Sequence, residues 1–504
     1  MANTVPAPAT ALDPDLIRRA GAIATSTFAN ALDDFGLGKK VLPTLKAVAP
    51  GMRFAGPAVT VREKVGPMGA YSWREFKVGA IIEAAGPGDV VVVAMDGANV
   101  STWGGMASMA AKTKGVAGLL VDGGVRDLEE MVEFGFPVFA RHMTPTTGRG
   151  RLRVEAIGEP VRVDGVVVKP GDLIVADGTG VVVLPHRKAE KIVARAEEFA
   201  ADDAAALAEL LVDDPRFRRR VDAFFTAWLA LDDLNTLAKA DPLPPVTDAL
   251  RAGLRAELLA LAGHAVFQAG TLAALFESRA TQLTPEVAAL YGVAPDAAAL
   301  PAAERAGLVT RAGLLALLAG PQFKSPIDRG AFIQRRLLCL DLPDPPPTVD
   351  NTPVAPDAQA AQTVRARTAQ RTAGGACEGC HRLINPVGFT LEHYDGLGRF
   401  TATEAVGDQH LPIDATGAVP LSDIAGPVDG GLALSQALAR SAQVRQCVAR
   451  QWLGFFLDRP LTAADACSLA QLQAAFEASG GAWRTLFVET ARLPAVRHRG
   501  GATP

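Results

Sequence analysis

Four consecutive valines, Val90 to Val93, run on into Ala94 and Met95 and leave little choice about where this stretch lies. Successive side chains of a strand point to opposite faces. A run with no polar position is therefore buried on both, as in the inner strands of a sheet covered from two sides. Val181-Val182-Val183-Leu184 has the same character. Shorter runs at residues 58–61, 118–121 and 173–176 recur between glycines, so residues 12 to about 193 read as mixed α/β. Pro87-Gly88-Asp89 and Pro170-Gly171-Asp172 turn the chain into strands, and Asp177-Gly178-Thr179-Gly180 marks a hairpin. One capped helix is predicted around residues 13–35.

Beyond this the chain changes character. Residues 188–318 are rich in Ala and Leu with helical periodicity, residues 341–375 read as an extended, partly mobile segment, residues 376–412 are a compact Cys/His region, and 431–496 are helical again. All eight methionines lie at or before Met143, all five cysteines at or after Cys339, and no lysine follows Lys324, which points to units of different origin. A chain of 504 residues exceeds one core. The expected domains are 12–200, 205–330, 331–420 and 421–499. A net charge of −4 gives no basic excess for nucleic acid. No apolar run approaches the roughly 20 residues that span a bilayer. The first residues lack a basic stretch followed by an apolar block, so no membrane and a cytoplasmic location are expected.

The chemistry-bearing passage is residues 103–145. The run 118–121 is a predicted strand, Asp122-Gly123-Gly124-Val125-Arg126-Asp127 the loop at its carboxyl end, and Leu128-Glu129-Glu130-Met131 the start of a helix. Ligands of open α/β sheets collect at such ends. Asp127 offers a hard oxygen to a divalent cation, with Asp122 and Glu130 placed to hold its waters. Arg126 is a fixed fork for a carboxylate or a developing enolate oxygen. Gly104 and Gly105, at a helix start, expose backbone N–H groups to an anion. A second reading stands beside this one. Asp127 and Glu130 have the D-x-x-E spacing of a capping box, which needs no catalysis.

Gly105, twenty residues, Arg126-Asp127, two residues, then Glu130 resembles the signature of the 4-hydroxy-4-methyl-2-oxoglutarate aldolase family, which also includes regulators of ribonuclease E activity. Residues 86–93, 135–140, 168–172 and 176–181 extend the resemblance over nearly all of 12–200. It implies a swivelling β/β/α-type fold in homotrimers or hexamers. It also implies a divalent cation, Mg2+ or Mn2+, held by Asp127 mostly through water, with Glu130 reaching it through water. The 2-oxo acid substrate is gripped by Arg126 and by Gly104, Gly105, Met106 and Ala107. The implied reaction is retro-aldol cleavage of 4-hydroxy-2-oxo diacids to pyruvate, with oxaloacetate decarboxylation beside it. Asp122 or a water on the cation is the candidate base. The alternative from another class is a non-catalytic protein that binds ribonuclease E.

In the second half, Cys377-Glu378-Gly379-Cys380-His381 is a C-x-x-C-H pattern, two thiols for haem vinyls and an imidazole for iron. Zinc would need two further ligands, and Cys339, Cys447 and Cys467 read as isolated, in helix-like contexts. Residues 325–339 with 377–400 resemble an uncharacterised planctomycete-type cytochrome-like family, which implies a mainly α-helical cytochrome-like region after the α/β domain and no established reaction. A haem-c-binding electron-transfer protein, through Cys377, Cys380 and His381, is a further alternative function. His393, His410 and His498 are the available sixth ligands, with an open sixth position as the alternative. Covalent attachment takes place outside the cytoplasm, so protein of cytoplasmic location is expected to carry none.

Overall fold

The structure is a computed structural model, and it describes residues 11–343, 355–357, 359 and 361–497. Much of the extended segment, including its prolines 345–347, and His498 lie outside the described residues. The chain divides into two units, Met1–Asp203 and Ala204–Pro504.

In the first unit, strands β1 (Val41–Leu42), β2 (Lys46–Ala47), β3 (Phe54–Val65), β4 (Val90–Trp103), β5 (Gly118–Val125), β6 (Val138–Met143), β7 (Leu152–Ile157), β8 (Val161–Val163), β9 (Val166–Val168), β10 (Leu173–Asp177) and β11 (Gly180–Leu184) alternate with helices. The helices are α1 (Pro14–Ala22), α2 (Thr25–Asp34), α3 (Val78–Ala84), α4 (Gly105–Thr113), α5 (Leu128–Phe134) and α6 (Ala189–Leu211). One sheet has the order β1-β11-β10-β3-β4-β5-β6-β2, with β7 paired to β3, while β8 and β9 form a hairpin of their own. β3, β4, β5 and β6 are mutually parallel, so their carboxyl ends share one edge.

The valine runs are buried on both faces, as their sequence requires. Val90 and Val92 pack with Phe54, Leu120 and Phe139. Val91 and Val93 pack on the other side with Ile81 of α3, Ala111 of α4 and Met131 of α5. Val182 and Leu184 meet Leu16, Phe28 and Ile192 from α1, α2 and α6.

Two expectations need correction. The helix predicted over 13–35 is two helices. Its break is stabilised from a distance: the Thr25 N–H and hydroxyl donate to the Asp177 carboxylate at 2.8 and 2.7 Å, satisfying the new N-terminus. The strand predicted to stop at Val121 continues to Val125. β4 bulges three times after Ala94, and these register shifts let Gly123, Gly124 and Val125 keep partners in Ala98, Ser101 and Trp103.

The second unit is helix-rich: α7 (Pro215–Trp228), α8 (Asp248–Gly263), α9 (Leu272–Glu277), α10 (Pro285–Tyr291), α11 (Ala312–Leu317), α12 (Pro326–Phe332), α13 (Val364–Thr372), α14 (Gly375–Phe389), α15 (Gly430–Arg440), α16 (Ala442–Leu457), α17 (Ala466–Ala478) and α18 (Trp483–Arg492). Strands β12 (Thr403–Val406) and β13 (Gln409–Pro412) form one small ladder, β14 (Thr416–Ala418) and β15 (Pro427–Asp429) another. Phe224, Leu254, Leu315, Leu434, Trp452 and Trp483 belong to its core. Within that core Arg311 and Glu257 form a wholly buried ion pair of 2.6 Å, and the Tyr291 hydroxyl donates to the other Glu257 oxygen at 3.0 Å. Cys339 and Cys447, read as isolated, are joined in a disulfide. Their separation of 108 residues hid the pairing. Such cross-links persist where thiols are oxidised. Among the described residues no helix is long and apolar enough to cross a membrane.

Candidate active site

At the shared edge, Trp103 at the end of β4 lies opposite Val125 at the end of β5, and each strand passes directly into a helix. The Arg126 N–H donates to the Trp103 carbonyl at 3.0 Å and ties the two turns together. Buried serines brace the first turn. Ser101 Oγ donates to the Trp103 carbonyl at 2.9 Å, and Ser108 Oγ donates to the Gly104 carbonyl at 3.0 Å while accepting Trp103 Nε1–H at 3.1 Å.

Asp127 precedes α5 with a left-handed backbone, φ 59°. An aspartate in that place ordinarily caps its helix through the carboxylate. Here the side chain makes no cap bond and reaches instead to α4, where Oδ2 accepts the Gly105 N–H at 3.2 Å and lies 3.5 Å from Arg126 Nε. The capping-box alternative is therefore not the arrangement the fold adopts. Glu130, in the first turn of α5, stands over Gly105: a β-carbon there would lie 2.8 Å from Glu130 Cβ and collide with its carboxylate. A β-carbon on Gly104 would collide with the Asp127 carboxylate. Both glycines thus permit two acidic side chains to approach the start of α4. The structure brings Gly104, Gly105, Arg126, Asp127 and Glu130 into one patch, with Met106, 85% exposed, and half-buried Ala107 next in the same helix turn.

The patch suits a hard cation. The Asp127 and Arg126 side chains are 40% and 45% exposed, and Asp127 Oδ1 takes no hydrogen bond among the described residues. Among those residues no three His, Cys, Asp or Glu side chains converge to enclose a metal. A carboxylate or two with the remaining positions filled by water is the arrangement Mg2+ tolerates well.

Asp122 departs from its expected place. It lies on β5 rather than in a loop, its side chain is 6% exposed, and Arg141 Nε donates to it at 2.7 Å. The Asp164 N–H donates to its second oxygen at 3.1 Å, and Arg141 also bridges to Asp164 at 3.0 Å. Its carboxylate is committed to holding β5, β6 and the β8–β9 turn together, which removes the freedom a general base needs.

Glu63 was not singled out by sequence reasoning. It lies near the carboxyl end of β3, where the pairing with β7 shifts register, and it is 4% exposed. Neither oxygen has a hydrogen-bond partner among the described residues. Burial pushes its carboxyl up to about 7, with Thr102 of β4 pulling the other way. The signal was present: alternation along β3 puts Glu63 on the same inward face as Val61.

In the second unit, Cys377 is exposed in the first turn of α14, and Cys380 and His381 are partly exposed. His381 Nδ1 lies 3.0 Å from Asn385 Oδ1, and Asn385 Nδ2 donates to buried Thr372 Oγ1 at 2.7 Å. This chain fixes the ring and leaves Nε2 without a partner among the described residues. His393 is engaged, its Nδ1 2.8 Å from the Thr401 carbonyl and its ring stacked on Phe400, whereas His410 is exposed on β13.

A profile of the aldolase/RraA family, RraA-like, matches residues 25–183. Over 196 residues the chain is 35% identical to a putative 4-hydroxy-4-methyl-2-oxoglutarate aldolase of Halalkalibacterium halodurans, covering 38% of this chain and 86% of that one. The chain belongs to the aldolase/RraA family. Its membership rests on the first unit. A putative enzyme of the same name from Burkholderia mallei is 33% identical over 144 residues, 28% of this chain and 81% of the relative. A 4-hydroxy-4-methyl-2-oxoglutarate aldolase of Thermus thermophilus is 35% identical over 111 residues, 21% and 65%. The aldolase/RraA match contains both glycines, Arg126, Asp127 and Glu130. Three profiles of proteins of unknown function match the rest: DUF1592 at residues 191–293, DUF1588 at 305–404 and DUF1585 at 426–492.

Proposed function

We propose that the first unit is a metal-dependent carbon–carbon lyase. It cleaves 4-hydroxy-2-oxo diacids of the 4-hydroxy-4-methyl-2-oxoglutarate type to pyruvate and also decarboxylates oxaloacetate. The observation that carries this reading is the convergence of Asp127, Arg126 and Glu130 on the glycine start of α4. Asp127 through Oδ1, and Glu130 through water, would hold the cation, Mg2+ or Mn2+. When bound, such a cation supplies Lewis-acid stabilisation for charge developing on the substrate's 2-keto oxygen. Arg126 binds a substrate carboxylate through its planar fork. The Gly105 N–H is already spent on Asp127, but those of Met106 and Ala107 have no acceptor inside α4 and face an incoming anion. In both reactions the C3–C4 bond breaks and its electron pair is left on the pyruvate enolate, so one preorganised site serves both. Aldol cleavage also requires the 4-hydroxyl proton to leave. With Asp122 held by Arg141, a water on the cation remains for this task, with Glu130 as an exposed carboxylate of the patch beside it. Exposed Met106, Met109 and Val132 on α4 and α5 support assembly as a homotrimer or hexamer.

The test is pyruvate release from 4-hydroxy-4-methyl-2-oxoglutarate and from oxaloacetate, with and without Mg2+. Cation-dependent release is expected from both. No release from either would leave the ribonuclease E-binding regulator as the reading. Arg126→Lys is expected not to restore the kcat/KM lost in Arg126→Ala, because a point charge does not replace a bidentate fork. Near-normal turnover in the Lys variant would show that charge alone matters there. Gly105→Ala, which displaces Glu130, is expected to lower kcat by about 100-fold with the fold retained, checked by steady-state kinetics and circular dichroism.

A second reading applies to the other unit. We propose that Cys377, Cys380 and His381 form a haem c attachment site, favoured by the His381–Asn385–Thr372 chain that orients the imidazole. Protein made in a reducing cytoplasm is expected to carry no covalent haem by intact mass. A haem adduct on protein made there would contradict the requirement for maturation in an oxidising compartment.

A further inference from the structure

Several arginines of the second unit are paired with carboxylates: Arg216 with Asp214, Arg255 with Asp232, Arg445 with Glu477, Arg459 with Asp465 and Arg484 with Glu209. Arg336 and Arg450 have no such partner among the described residues. Both line one cleft of about 400 Å³, floored by Phe224, Trp228 and Phe455 and edged by Gln451, with no Asp or Glu in its lining. That volume falls in the range of small-molecule sites, which combine apolar walls with a few polar groups.

The backbone segments that carry the two arginines are cross-linked. Arg336 lies in the π-helical turn Ile333–Leu337 that continues α12, three residues before Cys339. Arg450 lies on α16, three residues after Cys447. The Cys339–Cys447 disulfide, with Cα atoms 5.4 Å apart, therefore staples together the two segments that carry the charges. Trp228 Nε1–H donates to the Arg336 carbonyl at 3.0 Å, and Gln451 Nε2 lies 3.6 Å from Cys339 Sγ, so floor and edge are fixed to the same staple. An anion bound in this cleft meets two cationic side chains and no lining carboxylate to repel it.

We propose that this cleft binds a small organic anion, a carboxylate or phosphate carried on a flat apolar body. The guanidiniums take the charged end and the Phe224–Trp228–Phe455 floor takes the body.

Calorimetric titration of the full chain with 2-naphthoate, 2-naphthyl phosphate and neutral 2-naphthalenemethanol tests this. At least one of the two acids is expected to bind roughly tenfold or more tighter than the alcohol, and the tighter acid identifies the headgroup. Arg336 and Arg450 are both exposed, so Arg336→Gln combined with Arg450→Gln leaves the core intact and is expected to erase the difference. The preference is expected to survive Arg126→Ala, which separates this cleft from the anion site of the first unit. Equal binding of acids and alcohol, unchanged acid binding in the double Gln variant, or loss of acid binding in Arg126→Ala would each overturn the proposal.

Discussion

Asp127→Ala is expected to abolish cation-dependent pyruvate release, a fall of about 10³-fold or more, while the protein stays folded. A bound cation contributes several kcal/mol to stabilising transition-state charge, and about 4 kcal/mol corresponds to a thousandfold in rate. The structural side of the exchange is small. The carboxylate makes no N-cap bond to α5, and its loss removes one hydrogen bond from the Gly105 N–H, worth about 1 kcal/mol. Kinetics and melting temperature measured on the same preparation separate the two. A variant that loses several degrees of Tm yet keeps its turnover would return Asp127 to a structural role.

Glu63→Gln is expected to stabilise the first unit at pH 8 and to have little effect near pH 4.5. Burial lifts the Glu63 carboxyl from its ordinary 4.5 to about 7, so the folded state keeps a proton that the unfolded chain releases. The unfolded state binds fewer protons between these values, and stability falls as pH rises through them. The interval corresponds to roughly 3 kcal/mol of stability, fully present below pH 4.5 and fully lost above pH 7. Thr102 is the polar neighbour that moderates the effect, while Arg62 and Lys64 flank Glu63 with exposed side chains. Gln keeps the shape of the protonated acid and does not ionise. Calorimetry of the first unit's transition across pH 4.5–8 checks this, and a gain that does not change with pH would sink it.

The inner strands were legible because four apolar β-branched residues in a row satisfy no one-sided environment, and the Asp177–Gly180 turn was legible from its dipeptides. Arg126, Asp127 and Glu130 could be named because they abut a strand-to-helix junction, but spacing alone left capping and ligation equally open. The choice rests on the direction of one side chain, and that depends on Gly105, twenty-two residues away, offering its N–H. Asp122 was misplaced for a related reason. A Gly-Gly pair after a strand reads as a loop, and only the bulges of β4 keep these glycines paired. The Asp122–Arg141–Asp164 bridge joins three segments that no local pattern links. The helix break before Thr25 likewise depends on a carboxylate from residue 177.

The disulfide between Cys339 and Cys447 has a topological consequence. It closes a ring of chain that contains α13, α14 with its C-x-x-C-H sequence, and both small ladders. A single proteolytic cut anywhere inside that ring linearises it without releasing a fragment. A nicked molecule therefore keeps its full mass on a non-reducing gel and separates into two pieces only after reduction. The unfolded chain is also restrained by a loop of this length, a constraint that simple chain statistics value at about 4–5 kcal/mol. Cuts within α7 to α11 lie outside the ring and separate the chain before the cut, the first unit included, from the chain after it, even with the cross-link intact.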